Sequence, residues 1–287
     1  MPIKSSISME TEKLPTLSVH GASGFIGSNY VKRSRFRNIS IPRDIRDSQT
    51  PDLLYFISTT DNYNVFDNPK HDIETNLLLL IDTLESARKK FVKFTFNYIS
   101  TWFVYGDLDI PFKETDICKP RGFYSITKHT AELLIQSYCN TFDLDFRIIR
   151  LANVVGAGDM KVSQKRNALQ YMLGQVRRNE KVSLYENGEI IRDFLHIDDI
   201  VNGIDIVLER GNKNEIFNLG SGSGYKMKDL ILNFKQSIGS SSEIVSIATP
   251  KFHSVVQARN AVLDITKVKS LGFVPSKKLT MEILESL

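Results

Sequence analysis

Between residues 17 and 150, short apolar runs alternate with stretches whose apolar residues recur at helical spacing, and this constrains the fold more than any other feature. A short apolar run spans 17–20, a possible strand follows at 39–41 and a clear one at 53–57. Ile73, Leu77, Leu80, Ile81, Leu84 and Ala87 predict a helix over 71–89, and a strand follows at 93–99. Ala131, Leu134, Ile135 and Tyr138 form the buried stripe of a predicted helix over 122–140, with another strand at 146–150. Strands separated by helices of this length pair in parallel, because a helical crossover returns the chain to the same end of the sheet. The expected class is α/β with a doubly wound parallel sheet.

Beyond about residue 160 the pattern loosens. A helix is predicted over 164–179, a strand at 181–185 and a short apolar segment at 190–195. Another helix starts near Asp198, and a strand lies at 217–219. The chain divides into a loose tail (1–13), a sheet domain (14–160) and a smaller lobe (161–287), part of which returns to the sheet.

Composition excludes several classes. Lys and Arg number 37 against 33 Asp and Glu, a net charge of +4 with no dense basic run, so neither a nucleic-acid nor a membrane partner is expected. The longest aliphatic stretch, 77–81, is far short of the roughly 20 residues of a membrane span. The first 13 residues are polar, without the apolar core of a signal peptide, so a cytoplasmic location is expected. Cys118 and Cys139 form no disulfide framework, and the five histidines form no HExxH pair, so no metal site is expected.

The first apolar run ends in Gly21-Ala-Ser-Gly24-Phe25-Ile26-Gly27 and leads into a helix. Gly21 allows a tight turn, Gly24 lets a pyrophosphate approach the backbone, and Gly27 lets the helix lie close to the sheet. The helix N-terminus offers free N–H groups and partial positive charge to phosphates. Phe25 and Ile26 in this first turn, and Ser58 beyond the 53–57 strand, are further cofactor-side candidates. Alone, such a turn fits a dinucleotide site and a plain tight turn about equally.

Tyr124-Ser-Ile-Thr-Lys128 places a tyrosine and a lysine one helical turn apart on one face. A tyrosine must shift by roughly 3 pKa units to exchange protons near neutrality, about 4 kcal/mol. An ammonium about 5 Å away supplies about 3 kcal/mol at an effective dielectric near 20. On its own the pair also reads as an ordinary surface pair.

Taken together, the GxxGxxG turn, the segment Tyr98-Ile-Ser-Thr101-Trp-Phe-Val-Tyr105-Gly106 and the YxxxK pair resemble the extended short-chain dehydrogenase/reductase, or NAD-dependent epimerase/dehydratase, family. Two more segments extend the resemblance over residues 16–275. Arg150-Leu-Ala-Asn153-Val-Val-Gly156-Ala-Gly-Asp159 is similar to the family's RxxNxxGPGD, and Arg192-Asp-Phe-Leu-His-Ile-Asp198 to its RDF-hydrophobic-HVxD. The resemblance implies a Rossmann-like dinucleotide-binding domain over 14–160 and a substrate-binding lobe after it. It implies Thr101 as hydrogen-bond donor to the substrate oxygen, Tyr124 as acid/base and Lys128 as holder of the nicotinamide ribose. Asn153, Arg192 and, more weakly, Arg259 become substrate-side candidates, with Asn76 bracing the catalytic loop. A planar guanidinium suits a diphosphate, but Arg192 also reads as a structural arginine paired with Asp193 or Asp198. A homodimer follows by family analogy.

Two departures narrow the activity. Where dehydratases of the family carry an Asp-Glu pair after the catalytic threonine, this chain has Trp102 and Phe103, neither able to do acid–base work. Only about 25 residues separate Gly27 from Leu53, so much of a βα unit that would wrap the adenosine is missing, a shortened N-terminal half. Beyond the 39–41 strand, Arg43 suits an NADP 2′-phosphate and Asp44 an NAD ribose, a weak lean to NADP(H). The expected function is an NAD(P)-dependent 4-ketoreductase of a nucleotide-activated sugar. The alternatives are a 4-epimerase with tightly held NAD and, outside enzymes, a non-catalytic dinucleotide sensor.

Overall fold

The structure, a computed structural model, describes residues 14–287 apart from Asp61, Met160, Lys161, Gln164 and Lys165; the predicted tail over 1–13 lies outside it. The first half runs β1 (Thr16–His20), α1 (Phe25–Arg33), β2 (Arg37–Ile41), β3 (Asp52–Tyr55), the single turns α2 (Asn64–Asp67) and α3 (Lys70–Ile73), a π-turn (Glu74–Leu78) and α4 (Leu79–Lys90). After these come β4 (Thr95–Thr101), a 3₁₀ turn (Trp102–Tyr105), α5 (Phe123–Thr141), β5 (Asp145–Leu151) and β6 (Asn153–Val155). The chain continues as α6 (Ala168–Arg177), β7 (Val182–Tyr185), β8 (Ile191–Arg192), β9 (Phe194–His196), α7 (Ile197–Arg210) and β10 (Glu215–Leu219). It closes with β11 (Tyr225–Lys226), α8 (Met227–Ser237), β12 (Ile244–Ile247), α9 (Lys251–Val256), α10 (Thr266–Ser270) and α11 (Met281–Ser286).

Six strands form a parallel sheet in the order β10-β5-β4-β3-β1-β2. The period of two along each strand sends alternate side chains to opposite layers. Leu53 and Tyr55 join Leu80, Leu84, Ala131 and Ile135 of α4 and α5 on one face. Leu17, Val19 and Leu54 join Tyr30 of α1 and Ile200, Ile204 and Val207 of α7 on the other. Connections diverge between β1 and β3, where such sheets open a crevice beyond the strand carboxyl ends.

The shortened N-terminal half has a visible cause. Residues 42–51, between β2 and β3, contain no helix. A coil covers β1 instead, and β1 presents polar side chains to it. Ser18 Oγ accepts the N–H groups of Gln49 and Thr50 at 2.8 and 2.9 Å, and His20 Nε2 meets Ser48 Oγ at 2.9 Å. Burial, aided by the charge of Arg46, pushes the His20 imidazole down to about 4, so it stays neutral at pH 7.

The helix predicted over 71–89 is interrupted by the π-turn, which splits its stripe: Leu80, Leu84 and Ala87 are buried while Ile73 and Ile81 are exposed. Of the helix predicted over 164–179, Ala168–Arg177 is helical, while Gln164 and Lys165 lie outside the described residues. The C-terminal lobe has its own core, joining Leu169 and Leu173 of α6, Val182 and Leu184 of β7, Ile231 and Phe234 of α8 and Leu284 of α11. From the same half of the chain, β10 returns to the main sheet beside β5 and α7 covers that sheet.

Candidate active site

A cleft of about 1450 Å³ is walled by the segments that leave β1 to β5, with the lobe opposite. Its first wall is the glycine turn. Gly21 has φ of +82°, and a Cβ there would stand 2.9 Å from the Ile57 nitrogen. At Gly27 a Cβ would stand 2.3 Å from the Gly21 carbonyl oxygen, so only glycine lets α1 start this close to the turn. Gly24 differs. Its Cβ would meet only the Gly21 oxygen, at 3.5 Å, and the residue is exposed on the cleft wall. No side chain caps α1 there, and Gly24, Phe25 and Ile26 all line the cleft. An uncapped helix start without side-chain bulk suits a diphosphate.

Beside it, Ser58 Oγ donates to the Asn76 Oδ1 at 3.1 Å. Asn76, buried in the π-turn, also accepts the Thr59 N–H at 2.9 Å and donates to the hydroxyls of Thr59 (2.8 Å) and Thr127 (2.9 Å). It ties the loop after β3 to α5 at the residue before Lys128.

Thr101, Tyr124 and Lys128 reach the same cleft from the end of β4 and the first turns of α5. Lys128 is wholly buried; its Nζ donates to the Ile99 carbonyl at 2.7 Å and stands 4.0 Å over the Tyr98 ring. Burial pushes its ammonium down to about 7, against the opposing pull of Glu132. Glu132 follows one turn later on the same face and receives Arg150 at 2.6 Å, as well as the Ser100 hydroxyl. Sequence reasoning passed over Glu132 and Tyr98, although a carboxylate four residues after Lys128 on a buried stripe was a usable signal.

Trp102 and Phe103 stack with ring centres 3.9 Å apart, and Phe103 meets Tyr124 edge-on at 5.9 Å. The Trp102 indole donates to Asn153 Oδ1 at 3.3 Å, and Asn153 Nδ2 donates to the Asp193 carbonyl at 2.9 Å. Asn153 thus lines the cleft while holding the tryptophan in place.

Of the two arginines expected on the substrate side, Arg192 lines the cleft but is buried, and its guanidinium donates to the carbonyls of Ile191, Arg259 and Ala258 at 2.9, 2.7 and 3.0 Å. Burial pushes it down to about 10, partly offset by Asp107. The acidic partners considered for it are engaged elsewhere: Asp193 accepts backbone N–H groups of Ser221, Gly222 and Leu263, and Asp198 pairs with Arg33 and Lys277. Arg259 stands apart from these residues. Its side chain is 73% exposed, lies beside Glu186 at 3.7 Å and is not among the residues lining the cleft. Arg43 and Asp44 do line it, both exposed, and Arg46 joins them from the coil that replaces the crossover helix.

The sequence model of the NAD dependent epimerase/dehydratase family matches residues 36–220. The chain belongs to this family. The match begins beyond the glycine turn, whose part rests on its own geometry. This family member is 29% identical to the low-salt glycan biosynthesis protein Agl12 of Haloferax volcanii over 63% of its chain; it spans 56% of that relative's length. It is 26% identical to a putative UDP-glucose 4-epimerase of Methanocaldococcus jannaschii over 90% of this chain and 92% of that one. It is also 26% identical to the dTDP-glucose 4,6-dehydratase of Streptomyces antibioticus, over 94% and 91%. Among solved structures, the UDP-glucose 4-epimerase of Thermotoga maritima with UDP-glucose superposes with a TM-score of 0.80 at 24% identity, covering 94% of this chain and 96% of that one. The fold of this family member is therefore that of its solved relatives. Among its described residues no helix is long and apolar enough to cross a membrane.

Proposed function

We propose that the protein is an NAD(P)-dependent oxidoreductase of nucleotide-activated sugars that reduces a 4-keto group in net turnover. The observation that carries this reading is the helix-less coil over 42–51, which leaves Pro42, Arg43 and Asp44 exposed on the wall of the cleft. A reductase exchanges its cofactor each turn, and a trimmed cradle suits that exchange. The glycine turn would hold the pyrophosphate, Ser58 and Lys128 the nicotinamide side, and Arg43 with Arg46 the adenosine side, which favours NADP(H) by charge. Once bound, the nicotinamide supplies the hydride.

The chain's own groups do the rest. The Thr101 hydroxyl donates to the substrate oxygen and holds it as charge develops there. The Tyr124 hydroxyl delivers the proton to that oxygen, and Lys128 provides the neighbouring positive charge. Trp102 and Phe103 wall the sugar side with aromatic surface, offering neither the acid nor the base that a 4,6-elimination needs. Arg192 acts by fixing the 258–259 segment beside the cleft.

A second reading, a 4-epimerase, draws support from the full-length likeness to the Methanocaldococcus protein. A 4-keto-6-deoxy nucleotide sugar separates the two. Net reduction consumes NAD(P)H one-to-one with product; interconversion of two epimers with catalytic NAD refutes it. Intact Thr101, Tyr124 and Lys128 weigh against a non-catalytic sensor.

A homodimer is also proposed. The adjoining α3–π-turn–α4 and α5 segments expose Ile73, Leu78 and Ile81, and Phe123, Ile126 and Leu133. Light scattering on the purified protein tests it, and a monomer at micromolar concentration refutes it.

A further inference from the structure

We infer that Tyr98 is a positioning residue, its ring face holding the buried Lys128 ammonium charged and directed along β4. The inference rests on the proposed role of Lys128 as a cation in the site. One strand segment carries two contacts to Nζ and leads on to the cleft. The Tyr98 ring lies 4.0 Å below Nζ, the next residue, Ile99, accepts from Nζ at 2.7 Å, and Thr101 ends the strand on the cleft. Both partners are almost fully buried, so no solvent screens the attraction of the ring quadrupole for the ammonium. The contact belongs to the ring, since the Tyr98 hydroxyl meets no hydrogen-bond partner among the described residues.

The other ionisable groups around Lys128 do not replace it. Tyr124 precedes it by one turn of α5. Glu132 follows by one turn but is already engaged by Arg150 from β5, by Ser100 from β4 and, at 3.5 Å, by His129. Tyr55 on β3 faces Tyr98 with ring centres 6.2 Å apart and adds no charge. With the Glu132 carboxylate shared in this way, the ring and the Ile99 carbonyl are the near contacts that offset the loss of hydration at Nζ.

The test reads the lysine itself, without substrate or cofactor, so its failure and a failure of the proposed reaction are separable. Lysine labelled with 13C at Cε is followed by NMR across pH, with Lys128→Arg identifying the signal. Lys128 of the native chain should titrate near 7. Tyr98→Leu should lower that value by about one unit, a roughly tenfold loss of the charged form above it. Tyr98→Phe should leave it within a few tenths. Pentafluorophenylalanine at 98 keeps the ring's shape but reverses its quadrupole, and it should reproduce the shift of Leu in a chain whose packing is preserved. An unchanged Lys128 titration with the fluorinated ring overturns the inference, as does an equal shift in Tyr98→Phe, which would assign the effect to the hydroxyl.

Discussion

Glu132→Gln should be the most damaging conservative substitution near the site, for a reason that precedes any chemistry. The Glu132 side chain is fully buried and accepts Arg150 through both oxygens, at 2.6, 3.1 and 3.3 Å, while Arg150 is itself buried. Removing the carboxylate charge leaves a guanidinium in the interior without its counter-ion. Breaking one side of such a pair costs about 3–5 kcal/mol, a large fraction of a stability of roughly 5–15 kcal/mol. At about 2–4 °C per kcal/mol for a chain of this order, the melting midpoint should fall by roughly 6–20 °C. The double variant Glu132→Gln with Arg150→Met should recover most of the loss, because it leaves no buried charge. Burial alone would raise the Glu132 carboxyl, yet contacts with His129, Arg150 and Ser100 hold it below its usual range. A depressed folded-state pKa gives stability that is fully present above the unfolded value, about 4.3, and is lost as pH falls through the folded one. Urea unfolding should therefore show the gap between native and Glu132→Gln chains widest at pH 7 and narrowing below about pH 4. A loss under about 1 kcal/mol at pH 7, or a gap indifferent to pH, would refute the reasoning.

The other expectations concern the cleft. Tyr124→Phe should lower turnover by roughly 10²–10⁴-fold with cofactor affinity nearly unchanged, whereas Lys128→Ala should weaken both; steady-state kinetics and cofactor titration separate them. Gly24→Val has room within the fold, since its Cβ meets only the Gly21 oxygen at 3.5 Å, so it should stay folded yet lose NAD(P)H affinity by at least about tenfold in calorimetry, about 1.4 kcal/mol. Arg43→Ala and Arg46→Ala should each weaken NADPH by about tenfold, the worth of a charge-assisted hydrogen bond, and NADH hardly at all. Incubation with nucleotide hexoses and NAD should give no 4-keto-6-deoxy product; its alkaline absorbance would contradict the reading of Trp102 and Phe103.

What could be read from the chain alone was what local spacing encodes. Three glycines at intervals of three, after a strand and before a helix, need only one turn to converge, and a tyrosine and lysine four apart share a helix face whatever surrounds them. Thr101 became a candidate only through the resemblance of its segment to the family's strand-end motif, and it lies at the end of β4 on the cleft. The missing crossover helix was visible as missing length, and β1 answers it with Ser18 and His20 where apolar residues would otherwise meet a helix. Other features depend on register between distant strands. Tyr98 lies under Lys128 only because β4 runs beneath α5, and Arg150 meets Glu132 only because β5 lies next to β4. Arg192 shows the limit from the other side. Its residue type suits a diphosphate, but its guanidinium is spent on the carbonyl of the preceding Ile191 and on those of Ala258 and Arg259, in the segment that ends at the bridge between Ala261 and Arg192. A guanidinium so placed serves the protein before it serves a ligand. On the proposed reading, the cations for the adenosine end come instead from the coil over 42–51, where Arg43 and Arg46 line the cleft and no helix is built.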